Sequence, residues 1–397
     1  MSDQLPPWAR RPLSQPTGAI REYGDPSIAT RLADAFRHAA DAPGDTLTHG
    51  FHTWAARMHP VLARELIALG KSEGTVLDPF MGGGTVLLEA RVLGHQAVGV
   101  DLNPLARVVA KVRCDAPNAE GRAVFMARAE QLAERSEHRV RTRQQAVARL
   151  PAVMVALYSP HILKELTGLL EEIRKEEAVR SRDTFEAVFS SLVVKLSSKK
   201  ADTSTDLVEK RLRKGLPTEL FLRKCKELVQ RWSELETALG EAPAPRPRLF
   251  TGDARQLPQI LEGRRVTTIV SSPPYGGTYD YQAQHALRLA WLGLDPEPFV
   301  RGEIGARSQP ALDPVRRWNE ELLAVLRAMR QILADDGRIL LVIGDGELQR
   351  EVIGAREQVR ELCQYADLEL VAAASVERPS MGGSPAKEEH ALALRAR

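Results

Sequence analysis

Two periodicities alternate along this chain. From about Ser27 to Ala40, and again from His59 to Leu69, apolar residues recur at helical spacing. The segment EGTVLDPFMGGGTVLLEARVLGHQAVGVDLNPLARVVAKV then reads as a strand at Thr75–Leu77, a glycine turn, a helix over Thr85–Leu93 and a second strand at Ala97–Val100. Strand, helix and strand in that order make a βαβ unit, the mark of a parallel sheet with helices on its faces. From about Arg107 to Leu239 the period is helical throughout, with RSEHRVRTRQQAVARL and EKRLRKGLPTELFLRKCKELVQRW as basic amphipathic examples. The Pro-rich piece at Gly240–Arg248, GEAPAPRPR, predicts a stiff linker. Strand patterns return in RLFTGD, VTTIVSS, GRILLVIGDG and LELVAAASVE, and EHALALRAR closes the chain as one more strand.

The architecture this predicts is α/β: a doubly wound sheet begun before residue 104 and resumed after 247, with a helical insertion of roughly 140 residues between the two parts. The expected divisions are an N-terminal arm and helix (1–45), a first half of the sheet domain (46–112), the helical insertion (113–246) and a second half (247–397). An insertion that long must form its own layer or subdomain.

Composition changes this picture little. The 397 residues are 43% hydrophobic and 27% charged, normal for a globular protein with a sizeable core, and the formal net charge of +3 is compatible with a nucleic-acid partner without requiring one. Cys114, Cys225 and Cys363 are scattered and form no metal-ligand spacing, so neither a metal site nor a disulfide framework is expected. MSDQLPPWARRPLSQP has no apolar core of a signal sequence and reads as a loose arm, and no stretch is long and apolar enough to span a bilayer. A cytosolic protein without a membrane partner is the expectation; the oligomeric state is not legible.

Candidate chemistry gathers where strands end. In VLDPFMGGGT, Asp78 closes a strand and Gly82, Gly83 and Gly84 turn the chain into the helix that starts near Thr85. Glycines allow close approach of a ligand, and a helix start adds unpaired N–H donors. A nicotinamide-cofactor fingerprint would need a third spaced glycine where Leu87 stands, and Asp78-Pro79 suits a cationic ligand, an amino group or a sulfonium, better than a pyrophosphate. Asp101 closes the second strand in VGVDLNP, where a nucleotide-binding sheet places a carboxylate for both ribose hydroxyls; a helix cap by Asp101 or Asn103 before Pro104 is the competing explanation. Asp253, in LFTGDARQL, could meet an adenine amino group or equally cap a helix. In TTIVSSPPYGGTYDY the strand Val266–Val270 stops abruptly and presents Ser272, Pro273, Pro274 and Tyr275 at its carboxyl end.

DPFMGGGT, GVDLNP, TGDAR and SPPY, in that order, resemble the S-adenosylmethionine-dependent amino-methyltransferases that act on DNA bases, and SPPY within them resembles the cytosine-N4 branch, the adenine-N6 enzymes more usually carrying Asp or Asn in place of Ser272. FHTWAARMHPVLARELI resembles the segment beside the cofactor's methionine end, and the terminal EHALALR resembles the family's antiparallel last strand. The resemblance covers roughly residues 50–112 and 247–397. It implies a Rossmann-like methyltransferase sheet, parallel except for that strand, with S-adenosylmethionine as cofactor. His59, Asp78, Pro79, Phe80, Gly82, Gly84, Thr85, Asp101, Asn103 and Asp253 would form the cofactor site.

The implied reaction is methyl transfer to the N4 amine of cytosine in DNA, and the same chemistry on adenine N6 or on an RNA guanine is the alternative. A non-catalytic nucleic-acid-binding protein is less consistent with the intact Asp78, Asp101 and Ser272. The Ser272 hydroxyl and the Pro273 carbonyl would accept the two amine hydrogens, the prolines holding a rigid backbone without competing donors, and Tyr275 would stack on the base. A base in a duplex must be flipped out to reach such a site. Tyr279, Tyr281 and His285 could line the pocket or fill the space left behind, although His285 reads first as core. The insertion precedes TGDAR rather than following it. Its SSKK (197–200), EKRLRKG (209–215) and LRKCK (222–226) offer either phosphate contacts or an ordinary solvated helix face. The loop ERPSMGGSPAKEEH (377–390) reads as a hairpin connection that could touch substrate.

Overall fold

Runs of consecutive apolar residues in the strands require burial on both faces, and helices supply it. The computed structural model describes residues 18–54, 56–144, 147–202, 204–241, 243–278, 280–306, 312–348, 351–378 and 387–397. Its strands are β1 (Arg21–Gly24), β2 (Thr75–Asp78), β3 (Gln96–Asp101), β4 (Arg248–Thr251), β5 (Val266–Ser271), β6 (Leu333–Gly344), β7 (Gly346–Leu348), β8 (Glu351–Ile353), β9 (Leu368–Arg378) and β10 (Lys387–Ala396). The main sheet runs β1-β9-β10-β6-β5-β2-β3-β4, and β7 and β8 form a separate hairpin. Neighbours from β4 to β6 pair in parallel. β10 lies antiparallel between β6 and β9, as expected of the last strand. The fold is thus a doubly wound, Rossmann-like α/β sheet.

Three strands escaped the sequence reading: the short β7 and β8, which pair with each other, and β1. β1 pairs antiparallel with β9 through Arg21–Gly24, a segment expected to belong to the arm. It is mostly exposed, so it carries no apolar pattern, and its place is set by backbone pairing. Behind it α1 (Pro26–Asp41) is capped by Asp25, which accepts from the Ser27 and Ile28 amides, and buries Leu32 and Phe36 against the sheet side that holds Ala372 and Ala374. α2 (Pro60–Leu69), α3 (Thr85–Val92) and α4 (Pro104–Arg113) complete the first half.

The insertion is helical as the pattern requires: α5 (Ala119–Arg141), α6 (Ala152–Val155), α7 (Pro160–Arg174), α8 (Val179–Val193) and α9 (Leu216–Leu239). Phe125 stacks on Phe185 at 4.8 Å and meets Trp232 edge-on at 5.0 Å. That core continues into the sheet domain rather than closing on itself. The Trp232 indole donates to the Val112 carbonyl (3.2 Å), and His52 Nε2 bonds Ser190 Oγ at 2.9 Å. The second half adds α10 (Leu257–Ile260), α11 (Tyr281–Leu292), α12 (Glu297–Gly302), α13 (Pro314–Ile332) and α14 (Ala355–Cys363). Strand order reverses between β2 and β5, and the crevice beyond their carboxyl ends is where such sheets bind ligands.

Candidate active site

β2 and β3 end in Asp78 and Asp101, Ser272 directly follows β5, and Asp253 lies two residues beyond β4. Asp78 is the last residue of β2 and is buried; its Oδ1 accepts from the Phe80 amide (3.1 Å) and from the Ser271 hydroxyl (2.6 Å). Asp101 closes β3, its Oδ2 accepting from the Gly82 amide and its Oδ1 from the Asn103 amide, both at 2.8 Å. The cap on α4 is Asn103, whose Oδ1 accepts from Leu105, so the capping explanation belongs to Asn103 and leaves Asp101 for another task. Gly82 and Gly84 take positive φ (47° and 83°), and a Cβ on Gly82 would fall 2.7 Å from the Trp54 indole nitrogen. The turn they build brings Asp101 under the start of α3.

Trp54, Asp78, Gly82, Asp101 and Asn103 line an open cleft of about 960 Å³ together with Pro79, Phe80, Thr85, Asp253, Ser272 and Pro274. Burial pushes the Asp78 carboxyl up to about 7, with the neighbouring Asp101 adding to it, and burial pushes Asp101 up to about 6. Arg57 reaches the lining but directs its guanidinium to the carbonyls of Gly44 and His49. Two buried acids without a matched base favour a cationic ligand. Each Asp101 oxygen accepts one backbone N–H and retains a lone pair for a hydroxyl. Carboxylate pair, apolar walls and glycine turn therefore fit S-adenosylmethionine, whose sulfonium, amino group and ribose diol call for those groups.

Besides Tyr275, the geometry sets three expected residues apart from the cleft lining. His59 is fully buried and absent from the lining: its Nδ1 caps α2 by accepting from the Val61 amide (3.2 Å) and its Nε2 bonds the Ala42 carbonyl (3.2 Å). Its chain neighbours Ala56, Arg57 and Met58 line the cleft instead. Gly84 and Pro273 lie behind the lining rather than on it. Asp253 reaches the cleft but also caps a short turn through the Arg255 amide (2.9 Å) and pairs with the Arg255 guanidinium (2.6 Å).

The largest departure is Tyr275. Its ring is turned into the core, 2% exposed, and its hydroxyl donates to Glu389 Oε1 at 2.8 Å. That position offers no face for a base. Gly344 makes room for it, since a Cβ there would fall 2.8 Å from the ring and 2.6 Å from Arg378. The aromatic surface of the cleft comes instead from Trp54, Phe80, Tyr281, His285 and Phe299, with Trp54 stacked on His285 at 4.4 Å. Tyr279 and most of the 377–390 loop lie outside the described residues.

Trp54 and Glu303 are cleft residues that sequence reasoning did not name. Trp54 sits inside the quoted FHTWAARMHP, and its rarity in an aromatic-poor chain was the available signal. Glu303 belongs to no motif. It accepts from the Tyr281 and Gln282 amides at the start of α11 (2.7 and 3.3 Å), and burial raises it to about 7. In the insertion, Lys210 donates to the Lys199 carbonyl and Lys224 pairs with Glu227, so part of the expected positive surface is satisfied internally. Arg223 and Lys226 on α9 remain exposed. No described helix is long and apolar enough to cross a membrane.

No family model matches the chain. The Type II methyltransferase M.MvaI of Kocuria varians is 39% identical over 71 residues, 17% of this chain and 16% of that protein. The Type II methyltransferase M.BsoBI of Geobacillus stearothermophilus is 23% identical over 252 residues, 57% of this chain and 48% of that one. The chain thus matches less than half the length of either relative. Among solved structures, the rRNA methyltransferase aviRa from Streptomyces viridochromogenes aligns over 90% of this chain and 94% of its own at 13% identity, with a TM-score of 0.37, a likeness too loose to bear on function.

Proposed function

We propose that this chain is a methyltransferase that moves a methyl group from S-adenosylmethionine to the exocyclic N4 amine of cytosine in DNA. The reading is supported above all by one observation: the glycine turn with its two buried carboxyls and, at the end of β5, Ser272 and Pro274 line the same cleft. The cofactor would supply an electrophilic methyl on a sulfonium. Asp101 would hold its ribose hydroxyls, Asp78 and the turn its positively charged end, and Trp54 would close over it.

An exocyclic amine is a poor nucleophile because its lone pair is delocalised into the ring. The Ser272 hydroxyl, accepting one amine hydrogen while the Pro273 carbonyl takes the other, would let that nitrogen pyramidalise and release the pair for in-line attack. The contribution is positioning and electrostatics, without need of a strong base. Since the target base must leave the helix, Tyr281 and the Trp54–His285 stack, rather than Tyr275, are the surfaces against which it would rest. The insertion would grip the polymer.

The test is incubation with tritiated S-adenosylmethionine and separate DNA and RNA pools, followed by nucleoside mass analysis. N4-methylcytosine in DNA is the expected product, lost by about a hundredfold or more in Ser272→Ala with cofactor binding retained. Label on RNA guanine alone would replace the substrate assignment, and label on neither polymer would end the reading.

A further inference from the structure

Ser272 has a chemical ambiguity that the proposed reaction does not tolerate. A hydroxyl can donate or accept, and only as an acceptor does it draw a hydrogen from the target amine. Behind Ser272 lies an ordered chain of groups. Ser272 Oγ donates to the Tyr275 hydroxyl (3.4 Å), which donates to Glu389 Oε1 (2.8 Å). Glu389 stands on β10 with its side chain fully buried, and its Oε2 has no hydrogen-bond partner among the described residues. A carboxylate so placed is acceptor-only.

We propose that Glu389 is a positioning residue that acts through Tyr275 to fix the hydrogen-bond polarity of Ser272. Ionised Glu389 holds the Tyr275 proton on its own side. The Tyr275 oxygen then presents lone pairs to Ser272, the Ser272 proton points inward, and the Ser272 lone pairs face the cleft. A protonated Glu389 can donate instead, which lets the chain reverse and aims the Ser272 proton at the substrate. Nothing is transferred; only the orientation of two hydroxyls changes. The inference rests on the methyl-transfer reading above.

The surroundings make this a switch near neutrality. Burial raises the Glu389 carboxyl to about 7. The groups facing it oppose that rise: Arg378 on β9, whose guanidinium also lies 5.1 Å from the Tyr275 ring, the Tyr275 hydroxyl after β5, and His390 beside it on β10. His390 is itself held by Asp345 (2.9 Å) at the end of β6 and by Ser375 (2.7 Å). Tyr275 is pushed well above its ordinary range by burial, so it stays a donor throughout.

Single-turnover methylation across pH 6 to 8.5 tests it, with the wild-type chain, Glu389→Gln, Tyr275→Phe and the double variant. The wild-type rate should rise with pH through about 7. Each single variant should lose about ten- to hundredfold at high pH and flatten that rise, the double variant should lose no more, and cofactor affinity should stay within about twofold. Unchanged rates and an unchanged pH limb in both single variants would overturn the proposal. The infrared C=O band of the Glu389 carboxyl, identified by its absence in Glu389→Gln, gives a readout independent of turnover. It should vanish on raising the pH through neutrality and shift in Tyr275→Phe. A band indifferent to Tyr275 overturns the relay, whereas a wild-type chain that methylates no polymer overturns the methyltransferase reading.

Discussion

Asp101 carries a cost that only a ligand relieves. Its carboxyl and that of Asp78, at about 6 and 7, both lie above the ordinary aspartate range, so the folded chain favours their protonated forms. The sign follows. Below the unfolded pKa of about 4 neither group penalises folding; the penalty grows as pH rises toward 7 and is complete above it. A cation seated between them favours the ionised forms, lowers both pKa values and expels protons on binding. Affinity for S-adenosylmethionine should therefore increase from pH 5.5 to 8, by up to about tenfold per unit for each group titrating. Calorimetry across that range checks it, and Asp101→Ala should both weaken binding and flatten the curve. Affinity that climbs as the solution is acidified would mean an anionic ligand and a different cofactor.

The turn between β2 and α3 is the element on which that pair depends. Gly84 stands at φ 83°, and a Cβ there would lie 2.8 Å from the Ala110 Cβ and 3.1 Å from its Cα, so relief requires α4 to move as well. Gly84→Ala should destabilise the chain by about 2 kcal/mol or more, read as a lower denaturant midpoint with unchanged slope; a loss under about 0.5 kcal/mol would show the turn to be slack. This turn was legible because glycine is the residue that a positive φ and close backbone contact select, and strand ends before Asp78, Asp101 and Ser272 were legible from where apolar runs stop. The direction of the Tyr275 ring was not. It is decided by the absence of a side chain at Gly344 and by Glu389, residues 69 and 114 positions away in a chain whose local pattern says only that an aromatic follows two prolines. Glu389 did leave a trace: in KEEH two successive acids occupy a strand, and alternation must send one of them inward. β1 left none, because an exposed edge strand of four residues is specified by its partner's backbone.

At the scale of the whole molecule, positive and negative charge nearly cancel, 55 basic against 52 acidic residues, so no overall field draws in a polyanion. If the chain binds a nucleic acid, as proposed, the attraction must come from local clusters held in fixed relation to the cleft. The insertion has the means for that, since its core runs into the sheet domain through Trp232 and Val112, and the buried Arg288 of α11 pairs with Asp202 and bonds the Ser190 carbonyl. Arg223 and Lys226, exposed and three residues apart on α9, share one helix face. If that face meets phosphates, each contact releases counterions, and the slope of log affinity against log salt counts the contacts, about 0.9 per phosphate on duplex and 0.7 on single strands. Arg223→Gln with Lys226→Gln should lower the slope by about 1 to 2, weaken binding equally across sequences, and leave the calorimetric affinity for S-adenosylmethionine unchanged. Fluorescence anisotropy over a salt series measures the slope directly. A slope identical to wild type would remove this face from the polymer interface and leave the acidic-basic pairing within the insertion as a matter of its own stability.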